Sequence, residues 1–305
     1  MSTSPRSEQA WRIETADERA EVPPELSRRL RAATVAAPGL DSVGFFDHDD
    51  FVYGLSRVPG SGRWDALLRL GVRLAVAWRA LDRDLQPMRT GRLIRTVLDA
   101  EGGAVFCETV RPGRHVIGSV TASATPHDRE RADAALAQVV DHLRVEENLP
   151  TQNHGSFADE GTPIPDAPDP LHTTGDGAAL ATLTPAIRLD GLHALSYFTR
   201  TEKLAEVDCF DAPALAPFHE LATPAHRRAL YDTLGRGLST LANQLNQAIS
   251  PALGGRLQRI ILDVQSGAIY YRRLPRQHYL VGITLDQTRV RRADHEMDAL
   301  VAQLS

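Results

Sequence analysis

The most constraining feature of this sequence is that one segment of it occurs twice. Arg92 to Thr121 reads RLIRTVLDAEGGAVFCETVRPGRHVIGSVT, and Arg256 to Leu285 reads RLQRIILDVQSGAIYYRRLPRQHYLVGITL. The two segments align without a gap when 164 is added to the first number, and the register holds over residues 64 to 141. Identical pairs include Arg95/Arg259, Asp99/Asp263 and Gly118/Gly282. The chain is therefore predicted to contain two copies of one module.

Each copy has the same predicted order of elements: helix, two strands, long helix, three strands, helix. The long helices are predicted from apolar residues spaced three or four apart over Trp64 to Leu85, with a counterpart over His226 to Ile249. The repeated segments supply the last three strands as a meander. The predicted fold class is α/β (α+β), with one five-stranded antiparallel sheet per copy. The long helix would cover one face of this sheet and the two terminal helices the other.

Changes in composition predict where these domains begin and end. Residues 1 to 22 are polar and charged, which predicts a disordered tail in which only Trp11 would dock. The first domain is expected over 23 to 145 and the second over 178 to 305. Residues 146 to 177 are rich in Pro, Gly, Asp and Thr, so we expect a linker too polar to pack.

Overall composition limits the classes of function. The net charge of -5 argues against nucleic acid or an anionic membrane surface as the main partner. The single lysine, Lys203, follows Glu202 and not a glycine, so a phosphate-binding GxxxxGK[ST] loop is excluded. The two cysteines, Cys107 and Cys209, show no metal or disulfide spacing, and no segment resembles a membrane span or a signal peptide. We expect a cytoplasmic protein.

Two local motifs allow a chemical interpretation beside a structural one. Asp47 to Asp50 places carboxylates beside His48, as a metal site would, but it lacks calcium-loop spacing and is better interpreted as a solvated hairpin turn. Tyr270 to Arg273 mixes aromatic and basic residues, as in proteins that bind a nucleic-acid strand, but in a meander the tyrosines alternate between the two faces and the arginines lie at a solvated tip. A protein contact by these arginines remains an alternative to that structural interpretation. The sequence contains no HExxH or GxSxG motif. We therefore predict no catalytic residues, no metal and no cofactor.

The element order resembles the Roadblock family (dynein light chain Roadblock type), including its bacterial polarity regulators. The shared pattern is a long helix, a glycine, Leu-x-x-Ile/Val-x-Leu-Asp, Gly-Ala and a closing Val/Ile-Gly, over about 26 to 143 and 180 to 304. The resemblance implies that the third strands, Leu93 to Asp99 and Leu257 to Asp263, pair edge to edge. Edge physics supports this, because an apolar sheet edge has to be covered or paired. We predict an intramolecular pseudo-dimer, while the assembly above one chain stays open.

The resemblance also implies a non-enzymatic regulator or adaptor of a small Ras-like GTPase. A nucleotide-independent scaffold and a small-ligand sensor remain as alternatives. The loop Asp211 to Pro224 and the replacement of Trp78 by Ala242 in the second copy indicate that the two halves differ. The candidate partner-binding residues, which would alternatively form ion pairs inside the pseudo-dimer, are Arg92, Arg95, Arg256, Arg259, Arg272 and Arg273. The expected pseudo-dimer interface consists of Leu74, Trp78, Leu81, Leu93, Val97, Leu238, Leu241, Leu245, Leu257 and Ile261.

Overall fold

The computed structural model describes residues 11–15, 23–48, 50–57, 61–157, 164 and 167–304. The elements of the first half are β1 (Arg12–Thr15), α1 (Pro24–Ala36), β2 (Ser42–Asp47), β3 (Asp50–Ser56), α2 (Ser61–Leu85), β4 (Leu93–Ala100), β5 (Gly103–Arg111), β6 (Arg114–Thr121) and α3 (Pro126–Glu146). Those of the second half are β7 (His172–Gly175), α4 (Gly177–Leu183), β8 (Ala194–Phe198), β9 (Lys203–Asp208), α5 (Pro224–Leu253), β10 (Leu257–Val264), β11 (Gly267–Arg273), β12 (Tyr279–Thr284) and α6 (Val290–Leu304). No helix among these is long and apolar enough to cross a membrane.

Local sequence signals account for the main turns and helix starts. The hairpins β4–β5 and β10–β11 turn at Gly103 (φ 145°) and Gly267 (φ 129°), where a Cβ would lie 2.1 Å from a backbone carbonyl oxygen. Helix α3 begins with a capping box, because the Thr125 side chain accepts from the Asp128 backbone N–H and Asp128 accepts in return from that of Thr125. The repeat therefore preserves the backbone positions that the meander needs.

The strands form one twelve-stranded antiparallel sheet in the order β1-β3-β2-β6-β5-β4-β10-β11-β12-β8-β9-β7. Each half contributes the five expected strands in the same relative order, and β4 pairs with β10 at the centre. The predicted mixed α/β architecture with two tandem modules is confirmed.

Two predictions about the segments outside the modules need correction. Part of the tail expected to be disordered forms β1, which pairs with β3. Part of the linker forms β7, which pairs with β9, and another part packs as a short 3-10 helix, Gly155–Phe157. Both short strands are held by backbone hydrogen bonds to a neighbouring strand. Any residue type can form these bonds, so amino-acid composition does not predict them. Each half therefore has six strands.

The central strand pair is arranged about a pseudo-two-fold axis. Val97 pairs with Ile261, its own equivalent in the repeat, so the axis passes between these two residues. On one side of it Arg95 pairs with Asp263, and on the other Asp99 pairs with Arg259. The Arg and Asp identities of the repeat thus form two reciprocal contacts between the halves.

Two hydrophobic cores lie on opposite faces of the sheet, and each draws side chains from both halves. Helices α2 and α5 pack side by side over one face, while α1, α3, α4 and α6 cover the other. Leu241 is half-buried at the edge of the core under α2 and α5. The other expected interface residues in that core are Leu74, Trp78, Leu81, Leu93, Leu238, Leu245 and Leu257. Val97 and Ile261 belong to the opposite core.

The most buried ionic contact of the chain joins the halves at Arg95. Its side chain is 5% exposed and forms ion pairs with Asp133 of α3 and with Asp263 of β10, 2.5 Å away. Glu108 lies 3.5 Å from the Arg95 Nε and is fully buried. The sequence leaves Arg95 either a partner contact or an ion pair inside the pseudo-dimer, and in the structure it forms the internal ion pairs, with α3 and part of the linker packed over it.

The equivalent arginine of the second half is less enclosed. Arg259 contacts Asp99 across the strand pair at 3.2 Å and Asp294 of α6 at 2.9 Å, and its side chain is 18% exposed. Among the described linker residues, Ser156 contacts Arg95, and none forms a hydrogen bond or ion pair with Arg259. The pseudo-symmetric contacts are therefore equivalent in register and different in burial.

We expect Arg95→Ala to destabilise the chain by about 3–5 kcal/mol, because it leaves buried carboxylates without a counter-charge. Arg259→Ala, at the more solvated equivalent position, should cost roughly 1–2 kcal/mol. Urea denaturation followed by circular dichroism compares the two. Equal losses would contradict the difference in burial.

The strand register has a direct test by cysteine cross-linking. Val97→Cys combined with Ile261→Cys should form a disulfide on mild oxidation, because directly opposite side chains in an antiparallel pair lie on one face at about 5 Å. Leu98→Cys with Ile261→Cys should not, since Leu98 faces the α2 and α5 side. Mass spectrometry after unfolding detects the bond, and cross-linking of the control pair would refute the register.

Candidate protein-docking surface

The six candidate arginines do not form one site. Arg95, Arg259 and Arg272 face the α3 and α6 side, and each is ion-paired with aspartates of the chain. Arg272 contacts Asp294 at 3.4 Å and also Asp298. Burial, followed by the neighbouring Arg259, lowers the pKa of Arg272 to about 10. These three side chains hold α3 and α6 to the strands.

The other three arginines differ in their surroundings. Arg92 is exposed just before β4, beyond the C-terminal end of α2. Arg256 occupies the equivalent position before β10, where its backbone N–H donates to Glu101. Arg273 points to the opposite face and donates to Asn243 of α5 at 3.2 Å. Of the six, Arg92 alone adjoins a larger basic surface.

That basic surface is the outer face of α2, which sequence reasoning missed. Its exposed residues follow helical spacing over more than three turns and mix arginine with valine: Arg69, Val72, Arg73, Val76, Arg79 and Arg83. Val72 is 38% and Val76 51% exposed, although large aliphatic side chains are usually buried. We call this set the α2 stripe.

The same positions of α5 carry no such stripe. They hold Thr233, Arg236, Gly237, Thr240, Asn243 and Gln247, all exposed. The one arginine among them pairs with Asp232 at 3.0 Å within the same helix. Comparison of the exposed positions of the two copies, instead of their identities, would have found this difference in the sequence.

Most of the arginines of the α2 stripe have no ion-pair partner among the described residues. Within the described part of the chain, the guanidinium groups of Arg69, Arg73 and Arg83 have no ion-pair partner. Arg83 lies between two acidic residues, Asp82 and the exposed Asp84. Asp82 accepts a hydrogen bond from the Leu93 backbone N–H at 2.9 Å and so fixes the start of β4. The stripe therefore presents a positive field to solvent, suited to an acidic partner surface.

A groove of about 650 Å³ continues the stripe at the C-terminal end of α2. Its basic lining consists of Arg79, Arg83, Arg92, Arg111 and Arg144. Arg111 is neutralised by Glu147 at 2.9 Å, and Arg144 donates to backbone carbonyls. Arg92 and Arg83 thus carry the positive charge from the helix to the sheet edge.

Beneath the stripe lies a rigid aromatic contact. The Trp78 ring packs 5.3 Å from the buried His115 ring, centroid to centroid. Burial, together with the nearby charge of Arg79, lowers the pKa of His115 to about 4, so the imidazole is neutral near pH 7. The outer face of α2 therefore rests on an uncharged, packed layer.

The described residues contain no group of three or more His, Cys, Asp or Glu placed to hold a metal ion. Asp47 of the predicted turn pairs with Arg114 at 2.9 Å, and Asp49 lies outside the described residues. Both cysteines are buried thiols, and burial raises the pKa of Cys209 to about 12, which disfavours a thiolate nucleophile.

No protein-family model and no curated protein matches the sequence. Among solved structures, MglC from Myxococcus xanthus matches 40% of this chain and 98% of its own, with 13% identity and a TM-score of 0.31. A Roadblock/LC7 domain from Streptomyces avermitilis matches 40% and 96%, with 15% identity and a TM-score of 0.31. MglB from Thermus thermophilus, a gliding protein, matches 39% and 90%, with 18% identity and a TM-score of 0.30. Each half has the order of elements expected from the sequence: helix, two strands, long helix, three strands and helix.

Proposed function

We propose that this chain is a non-enzymatic regulator or adaptor that binds a small Ras-like GTPase through the α2 stripe. The observation that carries the proposal is the row of exposed arginines and valines on α2, which α5 lacks. The choice of surface rests on this charge and exposure. The choice of a GTPase rests on the Roadblock-like fold of each half.

The chemistry of the stripe fits a protein partner better than a small molecule. Exposed valines beside arginines offer a surface that excludes water at its centre and steers an acidic partner electrostatically. A rigid helix, packed on its neighbour and on the sheet, pays little ordering cost on binding. The proposed partner surface is therefore acidic with an apolar centre.

The asymmetry between α2 and α5 favours one partner per chain. A symmetric pair of modules would present the same surface twice. Here the equivalent face of α5 has neutral residues and one internally paired arginine. The fused halves are thus proposed to work as one binding surface supported by a second module.

Insertion of Arg95, Arg259 or Arg272 into a GTPase active site is a less favoured mechanism. Such an arginine has to be exposed and uncommitted, as supplied arginines are in GTPase activation. Arg95 is buried, and Arg259 and Arg272 are held by aspartates of α6. These three arginines would therefore not act on hydrolysis directly.

We expect Arg69→Glu with Arg83→Glu to weaken binding by about tenfold or more at low ionic strength and less at high salt, because the interaction is electrostatic. The matched control is Thr233→Glu with Gln247→Glu, which adds charge at the equivalent exposed positions of α5. That control should bind like the wild type.

Biolayer interferometry of the immobilised full chain against small GTPases from the same genome, loaded with GDP or a non-hydrolysable GTP analogue, measures both expectations. A difference between the nucleotide states supports the GTPase proposal. Equal binding in both states would instead support the nucleotide-independent scaffold. Equal weakening by the α2 and α5 variants would remove the α2 stripe from the proposal.

A further inference from the structure

A cleft of about 680 Å³ lies on the sheet face opposite the α2 stripe, between the first turns of α3 and α6. We call it the axial cleft, because its floor is the Val97–Ile261 pair on the pseudo-two-fold axis. We propose that one end of it binds a short peptide segment that carries a hydroxyl residue followed by an aromatic residue.

The other end of the axial cleft already holds such a segment from the chain itself. This segment, Gln152 to Phe157, is called the strap. The Ser156 hydroxyl accepts a hydrogen bond from Arg95 at 2.8 Å and donates to Asp263 at 2.9 Å. The Phe157 ring lies over the Arg95 guanidinium, 5.3 Å from its Cζ. At this end of the axial cleft the serine therefore occupies the polar part and the phenylalanine ring covers the arginine.

Further contacts of the strap join the two halves. Gln287, just before α6, donates to the Asn153 carbonyl at 3.1 Å, and Gly155 packs so closely against the Gln287 carbonyl that no side chain would fit. The His154 ring is buried 3.8 Å from Glu108. The backbone of the strap is therefore held in place as well as its side chains.

The open end of the axial cleft repeats the polar pair that binds Ser156. Adding 164 converts Arg95 to Arg259, and the partner of Arg259 across the strands is Asp99, the equivalent of Asp263. In the strap end the hydroxyl bridges arginine and aspartate. In the open end, among the described residues, the Arg259 Nε is buried 3.2 Å from Asp99 Oδ2 without a hydrogen-bond partner, while the other carboxylate oxygen of Asp99 accepts from Arg129 at 3.1 Å. A hydroxyl in the equivalent place would accept from Arg259 and donate to Asp99.

Size and lining fit the proposed occupant. A volume of about 680 Å³ is within the range of binding clefts, and Val97, Ile261, Phe106 and Val290 give it an apolar base. Basic and acidic residues alternate at its rim, which favours a neutral polar segment over a strongly charged ligand. This site is separated from the α2 stripe by the sheet, so each proposal can fail independently.

The test uses the full chain and a fluorescein-labelled peptide with the sequence Asn-His-Gly-Ser-Phe, which copies residues 153–157. Fluorescence anisotropy should show saturable binding. Replacing the serine of the peptide by alanine should weaken binding by about tenfold, because two hydrogen bonds to charged groups are lost. Asp99→Asn in the protein should weaken it to a similar extent.

Two further variants keep the proposal falsifiable. His127→Trp adds bulk to the cleft wall in the first turn of α3, close to Arg129, which contacts Asp99 at 3.1 Å. It leaves the Asp99–Arg259 pair unaltered, so it should weaken binding even if Asp99→Asn fails to fold. Ser156→Ala, in the strap, should leave the affinity unchanged. Absence of saturable binding would overturn the proposal. So would tighter binding to Ser156→Ala with no effect of Asp99→Asn or His127→Trp, because the peptide would then be replacing the strap.

Discussion

The pairing of β4 with β10 is the interaction on which the rest of the structure depends. It converts two exposed sheet edges into the centre of one sheet, and it places Val97 against its own equivalent, Ile261. Both hydrophobic cores cross this line and draw side chains from both halves. The side-by-side packing of α2 and α5 and the axial cleft between α3 and α6 both follow from this register.

Much of this arrangement was predictable because the residues that form it are identical in the two copies of the repeat. Residues kept in both copies include Arg95, Asp99 and their equivalents, which meet across the axis, and the glycines at the hairpin turns. The apolar spacing of α2 and α5 also predicted their burial. When equivalent elements of the two copies contact each other, the same residue types are needed in both copies. Alignment of the copies therefore shows these residues as identities.

Contacts made once were not predictable. Strands β1 and β7 attach through backbone hydrogen bonds, and the strap binds through one serine, one glycine and one aromatic ring within a stretch that reads as polar linker. The α2 stripe was missed for a related reason. Its signal is a difference between the copies at exposed positions, whereas the search for a repeat looks for identity.

The two outer strands have a consequence for the behaviour of the chain in solution. A sheet of twelve strands still ends in two open edges, and open edges recruit further strands from other molecules. Here each edge is a four-residue strand; β7 is fully exposed and polar, and β1 alternates charged and uncharged residues. Edge strands this short and polar are poor templates for pairing with a strand of another molecule. The fused protein can thus carry an unusually wide sheet and remain a discrete particle instead of growing into fibres.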